Sequence, residues 1–261
     1  MNKLHPRISV IMPINKDDGF FASALDSVLN QSFKDFELII VANQCDDKLW
    51  EQILKINDDR VFPKRVCMGG LAFALNFGAI HARGEYIARM DADDICLPNR
   101  LLSQLSFMDM YPNVDVLGGR VTLINSDGNV LNEVPAFYET HAEIVSTLPY
   151  RNPLVHPAVF LRKEILINSG GYKFGFTGED YELWIRLMLA GKKFHNLNEE
   201  VLLYRRHESQ MTGSDKSHLI FCDVSAILLM YFLKTKNFLF LFGVLSKIPF
   251  VRKIRNIFLK F

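Results

Sequence analysis

The sequence predicts an α/β domain built on a mostly parallel sheet with helices on both faces, followed by a helical tail. Three observations carry this. Runs rich in β-branched and aromatic residues alternate with segments of helical periodicity over the first 95 residues, which is the pattern of parallel strands joined by crossover helices. The runs close on proline or on polar residues, as strands do. The chain then changes character near its end. From Leu219 to Phe261 seven Lys or Arg face the single acid Asp223, a charge of +6, and the overall charge of +1 leaves −5 for the first 218 residues.

The elements follow in order. Residues 8–12 (Ile-Ser-Val-Ile-Met), closed by Pro13, form a first strand. Phe21, Ala24, Leu25, Val28 and Leu29 recur at helical spacing. Residues 36–42 make a second buried strand, Trp50, Ile53, Leu54 and Ile56 mark a helix, and residues 61–66 a short third strand. Residues 71–82 are helical, Gly84 breaks the helix, and residues 86–90 form the next strand. Residues 114–124 and 130–134 read as strands on either side of an Asn125-Ser126-Asp127-Gly128 turn. A stretch rich in His, Pro and Gly occupies 150–178, and a helix over 179–190 ends at Gly191, a C-cap glycine.

Hydrophobic residues at 49% and charged residues at 23% describe a foldable globular chain with an ample core. The near-neutral total gives no reason to expect nucleic acid as a partner. Cys45, Cys67, Cys96 and Cys222 show neither paired metal-ligand spacing nor disulfide density, which suits a reducing cytosol. Residues 8–14 are interrupted by Pro13 and followed by Lys16-Asp17-Asp18, so they are expected to be a buried strand and not a secretory signal.

The chemistry concentrates after the strand over 86–90, where Asp91-Ala92-Asp93-Asp94 places three carboxylates within four residues. Asp91 and Asp93 project to the same side of an extended backbone. Such a pair repels strongly unless a cation lies between, and the hard, oxygen-preferring Mg²⁺ or Mn²⁺ suits it, often with a diphosphate. A calcium loop fails on spacing, because Ile95 stands at the third ligand and no glycine follows. A solvated loop, a helix cap or a phosphatase-like nucleophile fits the fragment alone. Open α/β sheets bind ligands beyond the carboxyl ends of their strands. Ile14-Asn15, Asn43 and Asp91 all fall there, which favours a nucleotide-type site.

Several motifs then occur in order: Ser9-Val10-Ile11-Met12-Pro13, Ser27-Val28-Leu29-Asn30-Gln31-Ser32-Phe33 and Asp35-Phe36-Glu37-Leu38-Ile39-Ile40. Ala74-Leu75-Asn76-Phe77-Gly78 follows, then Gly84-Glu85-Tyr86-Ile87-Ala88-Arg89-Met90 leading into the acidic cluster. Gly170-Gly171-Tyr172 and Gly178-Glu179-Asp180-Tyr181-Glu182-Leu183-Trp184 complete the set. With these, residues 6–210 resemble the family 2 glycosyltransferases of the GT-A fold. The resemblance implies a domain over 1–218 with a Rossmann-like nucleotide-sugar half (about 6–95) and an acceptor half (about 96–210). It implies sugar transfer from a nucleotide donor with inversion at the anomeric carbon.

Site roles follow from the resemblance. Asp93 would ligate the metal directly, with Asp91 meeting the ribose, or the metal through water; the ion would be Mn²⁺ or Mg²⁺. Asp180 matches the family's catalytic base, with Glu179 supporting it by orienting the acceptor. By position alone these acids could equally cap their helix. Pro13, Ile14 and Asn15 would hold the base through backbone groups, and Asn76, Arg89 and Ala92 belong to the donor side. Asn43 stands where the family usually has an aspartate after the second strand; it retains a donor and an acceptor, and uridine stays the expected base. Tyr204-Arg205-Arg206-His207 resembles the family's Tyr-Arg-x-His ending. His207 would complete the metal shell, and Arg205 or Arg206 would neutralise the diphosphate. The Gln-x-x-Arg-Trp motif of processive synthases is absent, which implies one sugar per encounter. Asn152-Pro153 and His156-Pro157 resemble a signature of enzymes that build bacterial surface polysaccharides, making His156 an acceptor-side candidate against a plain turn-rich loop. Trp184 is a further acceptor candidate, although its spacing with Leu183, Leu187 and Met188 fits core better.

The expected reaction is hexose transfer, glucose or galactose favoured, from a UDP-sugar to a lipid-linked (polyprenyl diphosphate) saccharide in O-antigen, capsule or exopolysaccharide assembly. A nucleotidyltransferase on the same sheet, or a non-catalytic nucleotide-sugar-binding homologue, are the alternatives. In the tail, apolar stretches at 224–233 and 238–245 are separated by Lys234-Thr235-Lys236-Asn237. Each is shorter than the roughly 20 residues that span a bilayer. Phe250, Val251, Ile254, Ile257 and Phe258 share one face of a following basic segment. Residues 219–261 are therefore expected to lie on an anionic membrane surface, making the protein peripheral on the inner face of the cell membrane. A dimerising or core-covering appendage is the alternative.

Overall fold

The structure, a computed structural model, describes residues 5–173, 177–208 and 217–247. Eight strands form one sheet: β1 (Ile8–Ile14), β2 (Phe36–Asn43), β3 (Val61–Val66), β4 (Tyr86–Arg89), β5 (Ile95–Cys96), β6 (Val116–Ile124), β7 (Phe160–Arg162) and β8 (Phe194–Arg205). Their order is β3-β2-β1-β4-β7-β6-β8-β5. The first four are parallel, as the alternation of strands and helices requires. The later half mixes directions: β7 runs antiparallel to both β4 and β6, β8 is parallel to β6, and β5 closes antiparallel to β8.

Strand alternation sorts the core into two layers. Val10, Met12 and Ile14 of β1, with Leu38, Ile40 and Ala42 of β2, pack against α1 (Phe21–Leu29), α2 (Asp47–Leu54) and α4 (Arg100–Met110). Ile11, Ile39, Val41 and Ile87 face the opposite layer, formed by α3 (Leu71–His81), α5 (His141–Thr147), α6 (Lys163–Asn168) and α7 (Glu179–Leu189). Arg89 follows Ile87 by two residues, so it points into the layer that holds α7.

Part of the motif order is structural. The Ser9 hydroxyl donates to Glu37 at 2.6 Å and accepts from the Gly84 amide at 2.8 Å, while Arg83 clamps Glu37 through its backbone N–H and Nε. A Cβ on Gly84 would lie 2.6 Å from the Ser9 nitrogen, so only glycine fits against β1.

Two expectations are corrected. Residues 130–134 form no strand: Val130 makes one isolated bridge to Ile124, and Val134 is 81% exposed. The turn is present, with the Asn125 side chain accepting from Asp127 and Asn129. β7 covers only Val116 and Leu117 of β6, and the return arm touches the rest of that edge through the Ile124–Val130 bridge and the Leu131 amide, which donates to the Leu123 carbonyl at 2.8 Å. The tail helix is also longer than the apolar stretch at 224–233. Helix α8 runs Ser217–Thr235, and its segment His218–Thr235 is by length and composition apolar enough to cross a membrane, with a mean hydropathy of 1.5. A second helix, α9 (Phe238–Leu245), folds back on it. Ile227, Leu228, Tyr231 and Phe240 enter the core layer of α7, while Phe221, Leu233, Phe238 and Phe242 are exposed. The amphipathic face expected over 250–258 lies outside the described residues.

Candidate active site

β4 delivers its last residues to the carboxyl end of the parallel sheet, next to the ends of β1 and β2. Pro13 and Ile14 are buried there, Asn15 is exposed, and Asn43 closes β2 at 6% exposure. Asp91, Asp93 and Asp94 follow β4, each with a carboxylate oxygen within 4.8 Å of the others, and Ala92 lies half-buried among them. Asp94 is fully buried. One of its oxygens accepts the Arg205 amide at 2.8 Å, and Oδ2 has no hydrogen-bond partner. His207 Nε2 stands 2.9 Å from Asp93 Oδ2.

This donor set suits a hard divalent cation. Three carboxylates converge with an imidazole beside one of them. A buried, unpartnered carboxylate oxygen is costly without a counter-charge. Burial and the neighbouring carboxylates push Asp94 well above the ordinary carboxyl range. Asp91 rises to about 6 from burial and from the Asp93 and Asp180 charges, against the opposing pull of Arg89.

Facing this cluster, Asp180 occupies the first turn of α7. Its Oδ2 accepts from Asn152 Nδ2 at 2.6 Å and its Oδ1 from the Tyr181 amide at 2.7 Å. It thus satisfies one free amide of the helix start while its carboxylate still belongs to the acidic site. Burial raises its pKa. Glu179 beside it is 6% exposed, and burial together with the Asp180 charge pushes it up to about 7. His156 is also buried, with Nδ1 3.7 Å from Glu179 and Nε2 3.0 Å from the Tyr172 hydroxyl. Burial holds it well below the usual imidazole range and hence neutral at pH 7.

Several expected site residues act as braces in this geometry. The Asn76 amide both donates to and accepts from the Tyr172 backbone, at 2.8 Å each way, tying α3 to the segment before α7. Arg205 Nε donates to the Asp93 carbonyl, and Nη1 to the carbonyls of Asn125 and Ser126, with the guanidinium 4.4 Å from the Phe20 ring centroid. It shapes the acidic loop from behind. Arg206 pairs with Glu133 on the surface. Trp184 is fully buried at 0% exposure and 6.1 Å from the His156 ring, so it is core beneath the site and no sugar platform.

Two contributors escaped the sequence reading. Arg100, 2% exposed, donates to the Arg89 carbonyl at 2.7 Å and to Gln104 Oε1 at 3.0 Å, and Gln104 continues to the Ala158 carbonyl. They lock the end of β4 against the turn that carries His156. The available signal was an Arg and a Gln four residues apart on the same helix as Leu101, Leu105 and Met108.

The comparisons with known proteins agree with this arrangement. The family model described as Glycosyl transferase family 2 matches residues 9–168, more than half of the chain. The chain belongs to glycosyltransferase family 2. This glycosyltransferase is 35% identical over 235 residues to the O-antigen biosynthesis glycosyltransferase WbnJ of Escherichia coli, covering 88% of this chain and 90% of that one. It is 36% identical over 145 residues to the amylovoran biosynthesis glycosyltransferase AmsE of Erwinia amylovora, covering 55% and 53%. Among solved structures, S. aureus TarS 1–349 in complex with UDP-GlcNAc superposes with a TM-score of 0.68 at 20% identity, over 87% of this chain and 66% of that one. The mannosyltransferase PcManGT of Pyrobaculum calidifontis, in complex with GDP-Man and Mn²⁺, gives 0.62 at 16%, over 88% and 64%. The glycosyltransferase has the GT-A fold.

Proposed function

We propose that this glycosyltransferase is a metal-dependent, inverting hexosyltransferase. In this reading it moves glucose or galactose from a UDP-sugar to a lipid-linked saccharide in the assembly of a bacterial surface polysaccharide. One observation carries the proposal: two carboxylate groups, Asp91/Asp93/Asp94 after β4 and Glu179/Asp180 at the start of α7, face one another across Arg89. A single-displacement transfer needs that division of labour, with the leaving group held on one side and the attacking hydroxyl deprotonated on the other.

Asp93, with Asp91, Asp94 and His207 around it, would hold Mn²⁺ or Mg²⁺, which when bound neutralises the diphosphate as it departs. Pro13, Ile14, Asn15 and Asn43 line the strand ends where the uracil and ribose would rest. Asp180, its Oδ2 fixed by Asn152, takes the proton from the acceptor hydroxyl, and Glu179 lies beside it to receive an acceptor group. The polysaccharide assignment is supported by the resemblance to WbnJ and AmsE, and a UDP donor by the likeness to the TarS complex. The exposed aromatic face of α8 and α9, with Lys234 and Lys236 beside it, suits a peripheral position on an anionic membrane, where a polyprenyl diphosphate acceptor would be found.

The test is nucleotide release from a panel of UDP-, GDP- and dTDP-sugars with Mn²⁺ or Mg²⁺, for the wild type and Asp180→Asn. The expected result is release from UDP-hexoses, abolished by Asp180→Asn while UDP binding is retained. Release from GDP-sugars alone would overturn the donor assignment. Full activity in Asp180→Asn would overturn the base.

A further inference from the structure

We propose that helix α8 is a positioning element of the active site, its inner stripe of Asp223, Ile227 and Tyr231 fixing the first turn of α7 and with it Asp180. The proposal rests on the reading of Asp180 as the base.

The three residues recur every four positions, so they lie on one face of α8 over about 12 Å of helix. Each meets a different residue at the start of α7. Asp223 Oδ2 accepts from the Thr177 hydroxyl at 2.7 Å. Ile227 is fully buried against Gly178, where a Cβ would come within 2.7 Å of its Cδ1. The Tyr231 hydroxyl donates to Glu182 Oε1 at 2.6 Å. Thr177 and Gly178 precede Asp180 and Glu182 follows it, so α8 brackets the base from both sides in sequence.

The bracket holds a helix start that has no side-chain N-cap of its own. An α-helix opens with unsatisfied N–H groups, which a Ser, Thr, Asp or Asn at the N-cap ordinarily satisfies. Here the N-cap is Gly178 and no side chain caps the helix from that position. Asp180 itself takes the Tyr181 amide at 2.7 Å, and the residues on either side of it are held by the contacts from α8. Glu182 is anchored further by Arg186, which reaches on to the carbonyls of Ser169 and Gly171 at 2.6 Å each. The stripe on α8 thus ends on a fixed point, and the Thr177–Asp223 hydrogen bond holds the residue just before the N-cap. A displacement of about 1 Å at a catalytic group costs as much as a hundredfold in rate.

The experiment uses the full chain. Thr177→Val and Asp223→Ala each remove the same hydrogen bond, Asp223→Asn keeps an acceptor oxygen, and Tyr231→Phe removes the second contact. Mn²⁺-supported UDP release from UDP-glucose and UDP-galactose is measured without acceptor, alongside UDP affinity, melting temperature and hydrogen exchange of a peptide covering 177–189. Thr177→Val and Asp223→Ala should lower release about tenfold and speed exchange of the first turn of α7 by a similar factor. UDP affinity and melting temperature should stay unchanged, Asp223→Asn should restore release to within twofold, and Tyr231→Phe should repeat the exchange effect. Asp180→Asn serves as the reference. If it abolishes release while the α8 variants leave release and exchange unaltered, the proposal is wrong and the reading of Asp180 stands. If Asp180→Asn retains release, that reading fails. A parallel fall in UDP affinity in the α8 variants would also overturn the proposal, since the helix would then support the whole site and not its base. Exchange reports on the turn whichever donor the enzyme prefers.

Discussion

Arg89 Nη1 lies 2.5 Å from Asp91 Oδ2, and the guanidinium so held is buried between the two acidic groups of the site. Its charge acts on Asp91 and Asp94 on one side and on Glu179 and Asp180 on the other. Removing it leaves buried carboxylates without their common counter-ion. Arg89→Ala should lose at least a hundredfold in nucleotide release and about 3–5 kcal/mol of stability, read from urea unfolding. Unchanged stability would show that the acids do not depend on it.

Chelation should abolish release, and Mn²⁺ or Mg²⁺ should restore it. Asp93→Ala should raise the metal concentration needed for half-maximal release more than tenfold, because its carboxylate is the one next to an imidazole donor. His207→Ala should raise it less. Equal metal dependence in Asp93→Ala and wild type would remove Asp93 from the metal shell.

Glu179 titrates near 7 in the folded protein, above the ordinary carboxyl value of 4.5. The fold therefore prefers its neutral form. The stability this provides is fully present below pH 4.5 and is lost as the pH rises through about 7. Glu179→Gln should melt like wild type at pH 5 and several degrees higher at pH 8. The carboxyl pair of the wild type loses its protons in two steps. In Glu179→Gln the inflection near pH 7 should vanish from the rate profile, while the acid limb set by Asp180 stays.

Trp184 lies fully within the core and its Nε1 makes no hydrogen bond. Trp184→Phe should cost about 1–2 kcal/mol and leave release within twofold, whereas Trp184→Ala should cost about 3–5 kcal/mol. A selective loss of acceptor binding in Trp184→Phe at unchanged stability would return it to the acceptor surface.

The legible and illegible parts of this chain divide along physical lines. β1, β2 and β4 are buried on both faces, so each is a mainly apolar run, broken only by Ser9, Glu37, Asn43 and Arg89, that the sequence displays openly. β5 has two residues and β7 three, too few for any period to register. β8 carries Asn196, Asn198, Glu199 and Glu200, and slips register against β6 near Arg120, which hides it among polar residues. Helix α8 looked shorter because Asp223 interrupts its apolar count; in the fold that carboxylate accepts from Thr177. In the site, Asp91, Asp93 and Asp180 are marked by spacing and motif order. The pairing of Asp180 with Asn152, and the path from Arg100 through Gln104 to Ala158, join residues 28 or more positions apart in at least one step. No local pattern encodes such contacts.

The strand order also decides how the molecule meets its own kind. An open sheet ends in two rows of backbone groups that can recruit another chain. Here one end is β3, which carries Pro63, a residue without a backbone donor, followed by Lys64 and Arg65. The other is the two-residue β5. β5 covers only Leu202 and Leu203 of β8, whose outer side carries Asn196, Asn198, Glu199 and Glu200 along the rest of its length. Proline and charge along these outer strands work against edge-to-edge pairing with a second copy.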